Sequence, residues 1–204
     1  EVAIHIQGEQ DGALDPGDYI DFFGRRNDAE LDKHLYSKLD TIPNPYFNTY
    51  TDTTAYYLTV TPGQSGKRME VRPVPAGTVP AASFFETESL QIYSDQYSLG
   101  RSYTLGFRLS SYDAGEGWMS PVISKGGSRE LVFSGLGQIL ASGAAFLEIG
   151  LVGRSENIHT TTVTAGATSA SQRVLGSKTY SGFDATVMQV NLQMSDFNAN
   201  GTLV

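Results

Sequence analysis

The chain contains no cysteine, which excludes disulfide bonds, thiolate metal sites and a cysteine nucleophile within its 204 residues. Basic residues are also few, with 14 Lys and Arg against 22 Asp and Glu and a net charge of −8. Nucleic acids and anionic membranes are bound through clustered Lys and Arg. No apolar run approaches the about 20 residues that a membrane-spanning helix needs. We therefore expect no nucleic-acid partner and no membrane span.

The remaining composition is that of a folded protein. Hydrophobic residues make up 40% of the chain and charged residues 18%, which is too apolar for a disordered segment. The chain opens at Glu1 without a basic and apolar leader, which predicts a start after processing or inside a longer protein. It stops where the turn at Gly201 has led into Leu203 and Val204, which predicts a strand that is interrupted there.

Short alternating segments predict strands in the first third of the chain. Apolar and polar residues alternate over 2–7, and residues 19–23 follow turn-forming Asp, Gly and Pro residues. Residues 54–61 are rich in Thr, Tyr and Val. Leucines recur every fourth residue across 29–39, which predicts a short helix. We expect residues 1–75 to form a small β-rich subdomain with one short helix.

A Pro- and Ala-rich stretch at 73–82 predicts a linker. Beyond it, residues 86–99 favour a second short helix or an irregular bridge. Apolar and polar residues alternate over 101–110 and 188–194, which predicts strands. Further short strands are predicted at 130–133, 145–152, 158–164 and 172–175. Strands at this spacing are typical of a sandwich, so we expect a jelly-roll-like antiparallel β-sandwich over 83–204, truncated at its C-terminus.

Two acidic groups are candidates for calcium binding, because Ca²⁺ prefers oxygen ligands. Each brackets a turn, but neither has the ligand order of an EF-hand loop, so turn formation by Asp side chains is the favoured interpretation. The three histidines share no ligand spacing and are interpreted as structural. We predict no other metal or cofactor. The calcium candidates are Asp15, Asp18, Asp21, Asp113 and Glu116.

Evidence for an enzyme in this chain is weak. Glycosidases need two carboxylates across a cleft, which Glu86, Glu88, Asp113 and Glu116 would have to supply, although nothing in their spacing requires it. The chain has no G-x-S-x-G nucleophile elbow, which is the motif that would support a serine hydrolase. Trp118 is the only tryptophan, and with Tyr112 it is a candidate for stacking on a sugar or peptide, although a core anchor is favoured.

Several stretches together carry a more specific pattern. The stretches are Leu14-Asp15-Pro16-Gly17-Asp18-Tyr19-Ile20-Asp21-Phe22-Phe23-Gly24, Leu31-Asp32, Leu35-Tyr36, Asn44-Pro45-Tyr46, Tyr50-Thr51-Asp52-Thr53-Thr54-Ala55-Tyr56-Tyr57-Leu58, Tyr112-Asp113-Ala114-Gly115-Glu116-Gly117-Trp118, Leu151-Val152-Gly153-Arg154 and His159. Together they resemble the region ahead of the catalytic domain in large gingipain-like cysteine peptidases of Bacteroidetes, including the sortase of the type IX secretion system. The resemblance covers most of residues 1–164.

The resemblance implies a secreted protein of the periplasm or cell surface. The peptidases of this family use a Cys-His pair in an α/β domain further along the chain, so no catalytic residue is carried over. The resemblance implies that the chain is a non-catalytic accessory or pro-region, which contacts a downstream catalytic domain and thereby serves its folding, latency or positioning. Latency could use a basic residue as a substrate mimic, although solvated loop charge is the favoured interpretation of each one. The candidates for this contact are Arg25, Arg26, Lys67, Arg68 and Arg101.

A second hypothesis comes from a different class of protein. In a carbohydrate-binding or adhesive β-sandwich at the cell surface, Tyr112, Trp118 and the strand with Tyr56 and Tyr57 would supply stacking faces. A flat, exposed row of aromatic rings would favour this hypothesis, whereas buried rings would contradict it.

Overall fold

A computed structural model describes residues 1–36, 42–73, 77, 80, 82–107, 109–137 and 143–204. Over these residues the protein is mainly β, as predicted, with one short α-helix, and its strands pair antiparallel in small two-stranded sheets. The strands are β1 Ile4–Gln7, β2 Tyr19–Phe22, β3 Gln96–Leu99, β4 Glu116–Met119, β5 Ala145–Val152, β6 Ile158–Ala165, β7 Arg173–Ser181 and β8 Ala185–Leu192. The helices are α1 Gly100–Thr104 and the 3₁₀-helices Glu9–Asp11, Asp32–Leu35, Ser169–Ser171 and Met194–Asp196.

The chain divides into two compact units. The first unit comprises Glu1–Asn27 and Thr51–Phe85, and the second comprises Asp28–Tyr50 and Glu86–Val204. The second unit thus includes residues 28–50 from the N-terminal part of the sequence. Much of the predicted linker at 73–82 lies outside the described residues, and the predicted boundaries at 75 and 83 stay a prediction.

The first unit is built on the antiparallel pair β1–β2, with Ile4 opposite Phe22. On the other side of β1, the backbone N–H of Ile4 donates to Lys67 O at 3.0 Å and that of Met69 donates to Ile4 O at 2.9 Å. The predicted strands at 2–7 and 19–23 are therefore confirmed at Ile4–Gln7 and Tyr19–Phe22. The predicted strand at 54–61 is wrong, because this β-prone segment forms no ladder with another described segment.

In the second unit, β3 pairs with β4 and α1 lies between them in sequence. The predicted strand at 101–110 is wrong, because its first residues form α1. Two tertiary contacts hold this helix: the N–H of Arg101 donates to Ala114 O at 3.0 Å, and the N–H of Ser102 donates to the Asp113 carboxylate. A cap from a distant residue thus outweighs the local alternation of apolar residues.

Two further predictions in this unit need correction. The predicted helix at 29–39 is only the 3₁₀-helix Asp32–Leu35, because Tyr36 is extended and bridges Tyr112; residues 37–39 lie outside the described part of the chain. Of the two alternatives predicted for residues 86–99, the helix is wrong. Residues 86–95 are irregular, as the second alternative predicted, and the segment ends in β3. A recurring leucine every fourth residue is therefore insufficient evidence for a helix when the segment is this short.

The end of the chain forms two antiparallel pairs, β5–β8 and β6–β7. A Cβ built on Gly176 of β7 would lie 3.0 Å from Met188 Cε and 3.5 Å from Val190 Cγ1, so the inner faces of β7 and β8 are in contact. The strands predicted at 145–152 and 158–164 are confirmed, and those predicted at 172–175 and 188–194 fall largely within β7 and β8.

The last residues of the chain also belong to this core. Leu203 is buried and pairs with Phe133 through two backbone hydrogen bonds of 2.9 Å. Within residues 130–133 this bridge is the only β-pairing, so the predicted strand there is reduced to Phe133. The finer jelly-roll arrangement stays a prediction. Across the described residues, no helix combines the length and apolar character needed to cross a bilayer.

Candidate functional site

Asp113 and Glu116 close a tight turn that leads into β4. Asp113 accepts hydrogen bonds from the N–H groups of Ser102 and Ala114, and Glu116 accepts one from Asp113 N at 3.0 Å and one from the Tyr97 hydroxyl at 3.1 Å. Burial acts to raise the pKa of Asp113, but the hydrogen bonds from Ser102 and Ala114 outweigh it and lower that pKa. Both carboxylates are therefore engaged in holding the turn.

The same two carboxylates line a small cavity beside α1. Its volume is about 70 Å³, and its wall also contains Leu99, Tyr103 and Phe107. The sequence hypothesis offered Asp113 and Glu116, together with Glu86 and Glu88, as carboxylates of a glycosidase pair. The hydrogen bonds that already engage Asp113 and Glu116 give that hypothesis no support.

Trp118 and Tyr112 belong to an aromatic cluster, which we define as Tyr36, Phe47, Tyr97, Tyr112 and Trp118. The indole of Trp118 lies edge-on to Tyr97 and Phe47, with ring centroids 5.2 and 6.0 Å apart. Its Nε1 donates to the backbone oxygen of Thr49 at 3.1 Å. The ring of Tyr112 lies 5.1 Å from that of Tyr36. The two predicted stacking rings therefore have packing partners inside the second unit.

The electrostatics of the aromatic cluster are those of a protein interior. Burial and then the nearby charge of Glu116 raise the pKa of Tyr36 and Tyr97 above that of a free phenol. Burial also raises the pKa of Tyr112 to about 12, and its hydroxyl lies 2.9 Å from Thr49 Oγ1. The cluster thus keeps its hydroxyl groups protonated and hydrogen-bonded, as expected for a structural core.

The other predicted calcium candidates lie around β2 in the first unit. Asp18 accepts a hydrogen bond from Asp15 N at 2.8 Å, and Asp21 lies 3.6 Å from the Nδ1 of His5. Within the described residues, no group of three or more His, Cys, Asp or Glu side chains is arranged to hold a metal ion. Calcium binding at either acidic group stays a prediction.

The five basic candidates differ in their contacts. Arg68 pairs with Glu9 at 2.9 Å, and Arg101 makes a two-point pair with Glu156 at 2.8 and 3.1 Å. The backbone N–H of Arg25 donates to the Tyr56 hydroxyl at 2.7 Å, and Arg25 and Arg26 have further partners. Lys67 is exposed, and the described residues include no ion-pair partner for its ammonium group.

The first unit is distinguished by the exposure of its side chains. Not one of its described residues is buried, and several large apolar side chains are almost fully accessible. The largest exposed fractions are 89% for Tyr57, 89% for Val60, 86% for Phe85 and 83% for Val71. The only available signal in the sequence was the succession of three apolar residues, Tyr56, Tyr57 and Leu58, which breaks the alternation that lets a strand bury one face.

Comparisons with protein-family models, with curated proteins and with solved structures find no match to this chain. The resemblance to gingipain-like peptidases therefore depends on the quoted stretches of sequence alone.

Proposed function

We propose that the chain is a non-catalytic accessory or pro-region of a secreted, gingipain-like cysteine peptidase of the periplasm or cell surface. It acts by contact with the catalytic domain that follows it in the parent protein, in folding, latency or positioning. The observation that carries this proposal is the accessible apolar surface of the first unit.

Exposure of apolar side chains to water is unfavourable for a folded protein. Burial of apolar area is favourable by about 25 cal/mol per Å², yet Tyr57, Val60, Val71 and Phe85 remain exposed. No described residue of the first unit is buried, and accessible apolar surface of that extent on a folded protein marks a contact with another protein. A neighbouring domain of the same parent protein would cover such side chains permanently, which favours a contact module over a freely diffusing one.

The chemistry of the remaining candidates supports a role without catalysis. The chain has no cysteine, and the two clustered carboxylates of Asp113 and Glu116 are engaged by backbone and tyrosine donors. If the contact confers latency by substrate mimicry, Lys67 is the first cation to test. Its ammonium group has no ion-pair partner among the described residues, whereas Arg68 and Arg101 are paired.

The test is calorimetric binding of the chain to the separately expressed catalytic domain, together with assays of peptidase turnover. We expect saturable binding that Tyr57→Ser and Val60→Ser each weaken by about tenfold or more, as for anchor residues of an interface. The matched control is Ile158→Ser, because Ile158 is 76% exposed but belongs to β6 of the second unit. No binding to a demonstrably active catalytic domain would overturn the proposal.

A carbohydrate-binding or adhesive module is the second candidate, and Tyr57 is the observation that favours it. Its ring is accessible, whereas the rings of Tyr112 and Trp118 pack within the aromatic cluster. This candidate predicts retention on a glycan surface that is lost in Tyr57→Ala and kept in Tyr57→Phe. Equal retention of both variants would contradict it, because a stacking ring cannot be replaced by a methyl group.

A further inference from the structure

Arg154 lies in the loop between β5 and β6, and its side chain is only partly exposed. Its Nη1 lies 3.3 Å from the sulfur of Met119, which is a weak acceptor. The described residues offer its guanidinium no carboxylate and no carbonyl oxygen. Arg101 and Arg173, in contrast, each make a two-point pair with a carboxylate. Arg154 is therefore a charged group with unused hydrogen-bond donors, and it is partly shielded from water.

The loop that carries Arg154 is held tightly at its base. A Cβ on Gly153 would lie 1.9 Å from the backbone oxygen of Gly182, so only glycine fits there. The Nε2 of His159 lies 3.0 Å from Gly182 O and 3.3 Å from Ser155 O, and donates to these carbonyl oxygens. These contacts fix the backbone on both sides of Arg154, so its guanidinium is presented from a rigid support.

The nearest acidic residue in sequence does not neutralise Arg154. Glu156 is two residues away, but both of its carboxylate oxygens are engaged by Arg101. A guanidinium stays charged at any physiological pH and has five donors in a planar fork. Burial lowers the pKa of Arg154, which reflects the loss of water without a compensating anion. A carboxylate matches the fork with two parallel hydrogen bonds.

We infer that Arg154 is an anchoring site for a carboxylate, contributed by an Asp or Glu side chain of a protein partner. The identity of that partner rests on the proposed function, in which it is the following catalytic domain. The carboxylate chemistry rests only on Arg154 and its surroundings. Arg154 thereby acts as a specificity residue of a contact that the second unit makes with the partner.

The first experiment tests the chemistry without any partner. The probe is sodium acetate, titrated against sodium chloride at equal ionic strength, and the signal is the ¹⁵N resonance of the arginine Nε–H groups. We expect a saturable shift of the Arg154 resonance, assigned by its absence in Arg154→Met, and no comparable shift of Arg72, whose side chain is 81% exposed. Equal, non-saturating shifts of both resonances would overturn the inference.

The second experiment separates a contact role from a structural one. Arg154→Met retains the apolar stem and removes the charge, so we expect the full chain to melt at the same or a higher temperature while its affinity for the catalytic domain falls tenfold or more. Arg154→Lys should restore only part of that affinity, because an ammonium group lacks the fork. The matched control is Arg72→Met.

The outcomes of the two experiments distinguish the inference from the proposed function. If the wild-type chain does not bind the catalytic domain but acetate shifts the Arg154 resonance, the proposed function fails and the carboxylate site stands. If the wild-type chain binds and Arg154→Met binds equally well, the inference fails and the proposed function stands. A lower melting temperature in Arg154→Met without an acetate response assigns Arg154 a structural role and overturns the inference.

Discussion

The carboxylate of Asp32 accepts a 2.8 Å hydrogen bond from the side-chain amide of Asn48, and both residues are buried. Its other oxygen accepts from the N–H of Thr49 at 2.8 Å and from the Thr49 hydroxyl at 3.1 Å. Thr49 in turn accepts the indole hydrogen bond of Trp118. A carboxylate on a 3₁₀-helix thus orders the segment that packs against the only tryptophan of the chain.

Asp32→Ala should destabilise the second unit by about 2–3 kcal/mol, because it leaves buried donors of Asn48 and Thr49 without an acceptor. Denaturant unfolding followed by Trp118 fluorescence reports this directly. Glu30→Ala is the matched control, since Glu30 is an exposed carboxylate that pairs with Lys33 on the surface. Equal losses in the two variants would contradict the role assigned to Asp32.

Gly153→Ala should destabilise the fold by about 1–3 kcal/mol, the usual range for overpacking. The new Cβ would meet the backbone oxygen of Gly182 at 1.9 Å. Both backbones are held by hydrogen bonds, from Gly153 N to Asp184 O at 3.1 Å and from Gly182 N to Asn157 O at 2.9 Å. Gly150→Ala is the control, because no atom lies within 4 Å of its ideal Cβ and Ala is favoured over Gly in a strand. Thermal melting of both variants tests the difference in sign.

Acid should weaken the fold through Asp196, which is buried and makes a two-point pair with Arg173 at 2.8 and 2.7 Å. Burial acts to raise the pKa of Asp196, but the hydrogen bond from Arg173 outweighs it and lowers that pKa. Because the pKa of Asp196 is lower in the folded state, its carboxylate stabilises the fold at pH values above the unfolded pKa of about 3.9. This stabilisation is lost as the pH falls through the folded pKa.

The matching measurement is denaturant unfolding over a series of acidic pH values. Asp196→Asn should lower the stability near neutral pH and flatten its decline in acid. Glu70→Gln should leave the profile unchanged, because the pair of Glu70 with Arg72 is exposed to solvent on both sides. Parallel acid profiles for wild type and Asp196→Asn would contradict the prediction.

Alkali should weaken the fold through the aromatic cluster. The pKa of Tyr112 is raised to about 12 by burial, and those of Tyr36 and Tyr97 are raised by burial and by Glu116. Because these pKa values are higher in the folded state, the protonated tyrosines stabilise the fold at pH values below the unfolded pKa of about 10. This contribution is lost as the pH rises through the folded pKa.

Tyrosinate absorbance during a pH titration measures this effect. We expect a fraction of the tyrosines to titrate only together with unfolding, and this fraction should shrink in Tyr112→Phe. Tyr57→Phe is the control, since the Tyr57 ring is accessible. If all tyrosines ionised before the fold was lost, the cluster would not be buried as described.

Local patterns in the sequence were sufficient for the strands at the end of the chain. In β5, exposed and partly buried side chains alternate from Ala145 to Gly150, because successive residues of a paired strand point to opposite faces. The same period-two signal was misleading at 101–110, where the Asp113 carboxylate caps α1 from eleven residues away. A cap of this kind depends on the fold around it, so alternation cannot report it.

The candidate site shows the same division. The spacing of Asp113 and Glu116 around Gly115 predicted a turn, and the structure has one. The hydrogen bond of Trp118 to Thr49, 69 residues earlier, had no counterpart in the sequence pattern. The sequence pattern also did not indicate that Arg154 is partly shielded from water, because this depends on its contact with Met119 of β4.

The sequence by itself determined that no thiol chemistry occurs in this chain and that the fold is mainly β, because composition and alternation are local properties. Only the tertiary structure decided which side chains are covered. It buried Asp32, packed Trp118 against Tyr97 and Phe47, and left Tyr57 and Val60 in solvent. Burial depends on contacts between segments that are distant in sequence, and the free energy of those contacts outweighs the preference of any single segment.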